Sequence, residues 1–207
     1  MELKTEITWR YEEGLYARGL LQIAGVDEVG RGPLAGSVVA AAVILPRRFK
    51  GCGLNDSKKL TPAKRSKIAA ELRGDPEVVW ALGEATVEEI DQHNILQATF
   101  IAMRRAVDAL SRKPDFALVD GNQDPQLGVP IQTIIGGDGL SPSIAAASII
   151  AKHHRDESME RLAEQYPGYG LEKHKGYGTA LHLAALKKLG PTPIHRISFE
   201  PVRKSLR

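Results

Sequence analysis

A single cysteine stands in this chain of 207 residues. Cys52 therefore has no partner for an internal disulfide, which fits a reducing compartment. Between two glycines it reads as a small loop residue rather than a nucleophile. No apolar run reaches the length of a membrane span. The longest, Val38 to Leu45, suits a buried strand. The opening Met1-Glu2-Leu3-Lys4 lacks the basic-then-apolar pattern of a secretory leader, so a cytoplasmic protein without membrane association is expected. No Cys or His spacing suits zinc, and there is neither an internal repeat nor a low-complexity linker. Net charge is only +3, but it is unevenly spread: from residue 151 onward eleven Lys and Arg face six Asp and Glu. An acidic first part beside a basic C-terminal third suits a metal site that handles a polyanion. A plain solvated basic surface would look the same.

What is present is an ordinary globular composition, 43% hydrophobic and 26% charged. Residues 8–18 read as a short helix or packed arm. Strands are expected at 21–29, ended by a glycine turn, and at 37–45, ended by Pro46. Thr61-Pro62 opens a helix to Arg73, and 77–85 reads as a third strand. Thr86 and Glu89 form a capping box. Leu96, Phe100, Met103, Val107 and Leu110 then follow on one face of a long helix. Two short strands, 116–119 and 131–135, flank a Pro/Gly-containing loop. Ser141-Pro142 launches an alanine-rich helix to Gln165, residues 166–178 form a Gly/Tyr-rich loop, and 179–189 is a last helix. The order predicts an α/β core with a helical C-terminal cap. The expected divisions are an N-terminal arm (1–20), a core (21–165), and a cap with a basic tail (166–207).

Carboxylates recur where strands stop. Asp27 and Glu28 end the first strand, Asp120 ends the fourth, and Asp138 follows the fifth after two glycines. In open α/β sheets ligands collect at such ends. Four converging carboxylates repel one another unless cations compensate, so a divalent-metal site with two ions is expected. Each acid alone has a plainer reading, Asp120-Gly121 as a turn and Asp138 as a helix cap. Asp115, Asp124 and the Glu88, Glu89, Asp91 group read as turn or first-turn acids. Adjacent strand residues face opposite sides, so Asp27 and Glu28 share a site only if the strand bends or Glu28 curls back. Gly30-Arg31-Gly32 lets backbone approach a ligand and offers an arginine to phosphate.

The chain resembles bacterial ribonuclease HII. The resemblance is carried by G-V-D-E-V-G-R-G-P-L-A-G at 25–36, L-N-D-S-K-K-L at 54–60, E-I-D-Q-H-N-I-L at 89–96 and L-V-D-G at 118–121. It continues with S-I-A-A-A-S-I-I-A-K at 143–152, H-K-G-Y-G-T at 174–179 and G-P-T-P-I-H-R-I-S-F at 190–199. It implies an RNase H-like fold, a mixed central sheet flanked by helices with a C-terminal helical extension. It puts the four catalytic, metal-holding acids on Asp27, Glu28, Asp120 and Asp138, with two Mg²⁺ or Mn²⁺ ions. It makes Gly30-Arg31-Gly32 the reader of a ribose 2′-hydroxyl and Tyr177 the residue packed on the sugar at the RNA–DNA junction. Without it, Tyr177 reads as a loop or core tyrosine.

The implied activity is hydrolysis on the 5′ side of a ribonucleotide, in RNA/DNA hybrids or at single ribonucleotides in duplex DNA, leaving 3′-hydroxyl and 5′-phosphate ends. Lys58, Lys59, Lys173 and Lys175 are candidate phosphate contacts. His174, His195 and Arg196 read as structural hydrogen-bonding groups near the cap. A monomer is expected, and a replication-clamp contact through the C-terminus is left open. The stretch I-I-G-G-D-G-L-S departs from the usual pattern: Gly136 stands where many members have lysine, and Leu140 where a basic residue often follows. The rival readings are a type III ribonuclease H, a DNA nuclease on the same fold, or a hybrid-binding module without catalysis.

Overall fold

The computed structural model describes residues 7–47, 49, 53–54, 57 and 60–206. Lys58 and Lys59, expected at phosphate, lie outside the described residues, as does Cys52. Five strands form one sheet in the order β3-β2-β1-β4-β5. They are β1 (Ile23–Val29), β2 (Val38–Ile44), β3 (Val79–Ala85), β4 (Phe116–Asp120) and β5 (Ile131–Ile134). β1–β2 and β2–β3 are antiparallel, while β4 runs parallel to β1 and β5 parallel to β4. This is the mixed sheet the sequence implies. β2, Val-Val-Ala-Ala-Ala-Val-Ile, is buried throughout, because helices cover both of its faces.

On one face lies α3 (Val87–Asp108); on the other lie α2 (Pro62–Gly74) and α4 (Pro142–Gln165). α4 meets β1 backbone to backbone. A Cβ on Gly25 would stand 2.0 Å from the Ser143 carbonyl carbon, so no larger residue fits there. Cap chemistry places the helices as the sequence indicates. Ser141 Oγ accepts from Ile144 N, Thr61 Oγ1 from Lys64 N, and Thr86 with Glu89 closes a capping box.

α3 departs from the expected face. Asn94 has φ 67° and ψ 164°, which breaks the helix. Its Oδ1 then accepts from Leu96 N and Gln97 N, recapping the second half. Beyond the break the buried side runs through Ala98, Ala102 and Ala106 with Met103 and Val107, while Leu96 and Phe100 are only half-buried. The alanines win the sheet-facing positions because α3 lies so close. A Cβ on Gly83 of β3 would come 2.2 Å from Ala102 O.

The N-terminal helix α1 (Arg10–Tyr16) packs Leu15 and Tyr16 against Ile23, Phe116, Leu118, Ile134 and Ile144. After α4 come α5 (Leu171–His174), a turn of helix inside the segment expected to be loop, then α6 (Ala180–Leu189) and α7 (Glu200–Ser205). Their apolar faces gather with Met159 of α4 and with Leu34 and Ala35 from the β1–β2 connection. The cap therefore packs on the turn that follows β1.

Candidate active site

Three neighbouring strands, β1, β4 and β5, run parallel and end on the same side of the sheet. The β1–β4 ladder stops at Val26–Val119. Asp27 and Asp120 are therefore the first residues past it. Gly136 has a left-handed φ of 66°, which glycine adopts without strain, and it opens the 3₁₀ turn Gly137–Gly139 that carries Asp138. Gly137 N donates to Asp120 Oδ1 at 2.7 Å, tying this turn to the end of β4. Asp27 and Asp138 are 5% and 7% exposed.

The strand does not bend to bring Asp27 and Glu28 together. Asp27 hydrogen-bonds Ser148 of α4, while Glu28 shares a cleft with Leu96, Phe100 and Asp120 on the α3 side. The pleat is kept, and the two carboxylates flank the notch left where β4 ends. Burial pushes the Asp27 carboxyl well above the usual carboxylate range, reinforced by the charges of Glu28 and Asp120 and offset in part by Ser148. Burial also raises Glu28, with Asp120 adding to it and Arg31 opposing it from 3.5 Å.

Among the described residues no three His, Cys, Asp or Glu side chains stand close enough to grip an ion as placed. Glu28 is turned to Arg31, and Asp120 is engaged by the Gly137 amide. The donor set still fits a hard divalent cation. It is all oxygen, it is partly buried, and its anionic form is disfavoured by mutual repulsion that a cation would relieve.

Beside the acids, the turn at residues 30–37 is held from inside by two buried arginines. Arg196 donates to the carbonyls of Gly30 (2.6 Å), Arg31 (3.1 Å), Pro33 (2.8 Å) and Gly36 (2.8 and 3.0 Å). Arg155 of α4 donates to Ala35 O at 3.1 Å and to Lys175 O at 3.0 Å. Gly30 has φ 95°, and a Cβ there would meet Arg155 Nε at 2.2 Å, so this position requires glycine. Burial and the like charge of Arg155 lower Arg196 to about 9, which leaves it a cation at neutral pH. Sequence reasoning took Arg196 as structural and passed over Arg155. A carbonyl acceptor has no residue-type signature, so neither arginine stands out in the sequence.

The Tyr177 loop sits across this turn. Tyr177 is 45% exposed, and its ring edge lies 3.4 Å from where a Cβ of Gly32 would stand. Leu34 N donates to Gly176 O at 2.8 Å. A histidine pair supports the loop from behind. His182 Nδ1 faces the carbonyls of Gly176 and Tyr177, both at 3.1 Å, so it carries the proton. His182 Nε2 then accepts from His195 Nε2, 3.1 Å away, and His195 Nδ1 accepts from Thr192 N. Burial, with His182 alongside, pushes His195 down to about 4. Asp91, read as a first-turn acid, accepts from Ile197 N and Ser198 N and so anchors the segment after Arg196 to α3. His174 bridges Tyr169 O and Gly176 N, a structural part as expected. Lys175 is paired with Glu160 at 2.7 Å, and Lys173 is exposed.

The profile of the family described as Ribonuclease HII matches residues 24–202. The chain is 56% identical to the ribonuclease HII of Chlamydia caviae over 94% of this chain and 91% of that one. Among solved structures it is similar to the ribonuclease H2 of Pyrococcus horikoshii OT3, with a TM-score of 0.77, 28% identity, and coverage of 89% and 97%. It is also similar to the PCNA:RNase HII complex of Archaeoglobus fulgidus, with a TM-score of 0.72, 26% identity, and coverage of 87% and 96%.

Proposed function

The chain belongs to the ribonuclease HII family, and on that premise we propose how its own residues carry out the family's reaction. The enzyme is an endonuclease that hydrolyses the phosphodiester on the 5′ side of a ribonucleotide, in RNA/DNA hybrids and at single ribonucleotides within duplex DNA. Water forms the new bond to phosphorus, the bond to the 3′ oxygen breaks, and 3′-hydroxyl and 5′-phosphate ends result.

In this reading Asp27, Glu28, Asp120 and Asp138 hold two divalent ions, Mg²⁺ or Mn²⁺. Such ions lower the pKa of a bound water and neutralise charge on the departing 3′ oxygen. Asp27, between the other acids, would contribute to both positions. Glu28 would exchange Arg31 for a cation, releasing the Arg31 guanidinium toward the phosphate. The observation that carries the reading is the adjacency of two parts. A repelling set of carboxylates at parallel strand ends borders a glycine turn whose carbonyls are captured from inside by Arg196. With those carbonyls held, the Gly30-Arg31-Gly32 turn would meet a 2′-hydroxyl through its amide groups. Tyr177 would pack on the adjoining sugar. Lys173 is open to a phosphate, while Lys175 would first have to leave Glu160.

The division of labour follows the same lines. The proposed divisions are an arm within residues 1–20, of which 7–20 are described, a catalytic core over 21–165, and a cap over 166–207, described to residue 206, that would help to bind the duplex. The working unit is proposed to be a monomer. The Archaeoglobus protein is solved with PCNA, which supports a clamp contact through α7 and the tail. No described helix is long and apolar enough to cross a membrane. The test is a duplex carrying one ribonucleotide, incubated with Mg²⁺ or Mn²⁺. A single cut on its 5′ side is expected, with no cut in the all-DNA control. An uncut ribonucleotide duplex would overturn the reading.

A further inference from the structure

The family profile begins at residue 24, so α1 lies outside it, yet α1 places a charge deep in the molecule. Glu12 is fully buried. Its Oε1 accepts from Ser141 Oγ at 2.6 Å and from Ser143 N at 3.2 Å, at the first turn of α4. Its Oε2 has no hydrogen-bond partner among the described residues. A carboxylate so placed is favoured by the positive end of a long helix. Surface capping would serve that end without burying the charge.

The segment Glu12 grips is the one that follows Asp138. Ser141 N and Leu140 N both donate to Gly137 O, at 2.8 and 3.0 Å. Gly137 N in turn donates to Asp120 Oδ1. A continuous chain of hydrogen bonds therefore runs from Glu12 through Ser141 and the Gly137 peptide to Asp120, and Asp138 is the next residue along. Two further contacts join the arm to this turn. Thr8 N donates to Leu140 O at 3.1 Å, and the Leu140 side chain packs with Tyr11 in the apolar cluster of α1.

We propose that Glu12 is a positioning residue for the Asp138 turn. The arm, through this buried carboxylate, fixes the approach of Asp138 and Asp120. The proposal rests on the reading of Asp138 as a site acid. Leu140 and Ser141 give the arm an apolar and a polar handhold on the turn.

The test is hydrogen exchange of the Gly137, Gly139, Leu140 and Ser141 amides in the metal-free enzyme, paired with calorimetric Mn²⁺ titration. Three variants are compared: Glu12→Ala, Glu12→Gln and Leu15→Ala. Leu15→Ala weakens the same arm without touching Ser141. Expected for Glu12→Ala is exchange at these amides faster by about tenfold and Mn²⁺ binding weaker by a similar factor. Glu12→Gln keeps the acceptor and should stay within about threefold of wild type. Leu15→Ala should lower the melting temperature and leave both readouts near wild type. If Glu12→Ala does not fold, Ser141→Gly breaks the same link from the other side while keeping a tolerated cap, and the same loosening is expected. Unchanged exchange in the folded variant, or equal loosening in Leu15→Ala, would overturn the proposal. Turnover of Asp138→Asn is measured alongside. Full activity there would refute the assignment of Asp138 and leave the exchange result to judge Glu12.

Discussion

The acid cluster and the turn beside it are built on opposite electrostatic terms. At the strand ends carboxylates crowd one another, and Asp27 is held where its charged form is disfavoured, by burial first and then by the charges of Glu28 and Asp120. In the 30–37 turn the cation is buried and the acceptors surround it: the carbonyls of Gly30, Arg31, Pro33 and Gly36 all receive Arg196. The first region is crowded with like charge, which suits the metal-holding role proposed for it. The second is satisfied internally, which suits the sugar-reading role proposed for it. Damage to the two regions should therefore look different.

The largest expected effect is on chemistry. Asp27→Asn should lower single-turnover cleavage about 10³-fold or more while duplex affinity stays near wild type; unchanged turnover would remove Asp27 from the site. Next comes the 30–37 turn. Arg196→Gln removes the guanidinium that makes six hydrogen bonds to carbonyls and should cost about 3–5 kcal/mol of stability, read by urea unfolding. An unchanged stability in Arg196→Gln would break the comparison. Tyr177→Ala should leave stability unchanged, because the ring is half exposed. It should reduce preference for the ribonucleotide junction about tenfold, the ~1–2 kcal/mol of one ring contact.

A further effect is on pH. His195 is pushed down to about 4 in the folded state, below its unfolded value near 6.5. The unfolded chain then binds the extra proton first. The stability contributed by the neutral pair is full above about pH 6.5 and is lost as pH falls toward 4. The difference in stability between wild type and His195→Gln, which cancels the titration of the acids, should shrink across that window. A flat difference would show that the relay does not depend on a neutral His195.

Much of this was legible in the sequence, for definable reasons. Strand ends, the Thr86–Glu89 capping box and the Ser141-Pro142 start of α4 follow from local chemistry, and the four acids follow from where apolar runs stop. Part of the α3 face was legible, since Met103, Val107 and Leu110 are buried as expected; Leu96 and Phe100 are only half-buried because Asn94 restarts the helix with its own side-chain cap and alanines take the closest sheet-facing positions. Arg155, Arg196 and Glu12 were illegible as buried parts. Their partners are carbonyls, an amide and a serine, which leave no periodicity behind, and charged residues are rarely fully buried. Tyr177 drew its role from the resemblance alone, since an exposed tyrosine in a glycine loop has no distinguishing pattern.

The sharpest test compares the sign of two stability changes. Urea unfolding of Asp27→Asn and Arg196→Gln is measured in chelator-containing buffer near neutral pH. Removing the buried charge at 27 should make the metal-free enzyme more stable, while Arg196→Gln should make it less stable by several kcal/mol. If Asp27→Asn also loses stability, the charge at 27 is not held at a cost by burial and by its neighbouring acids, and the contrast between a crowded acid cluster and an internally satisfied turn is wrong.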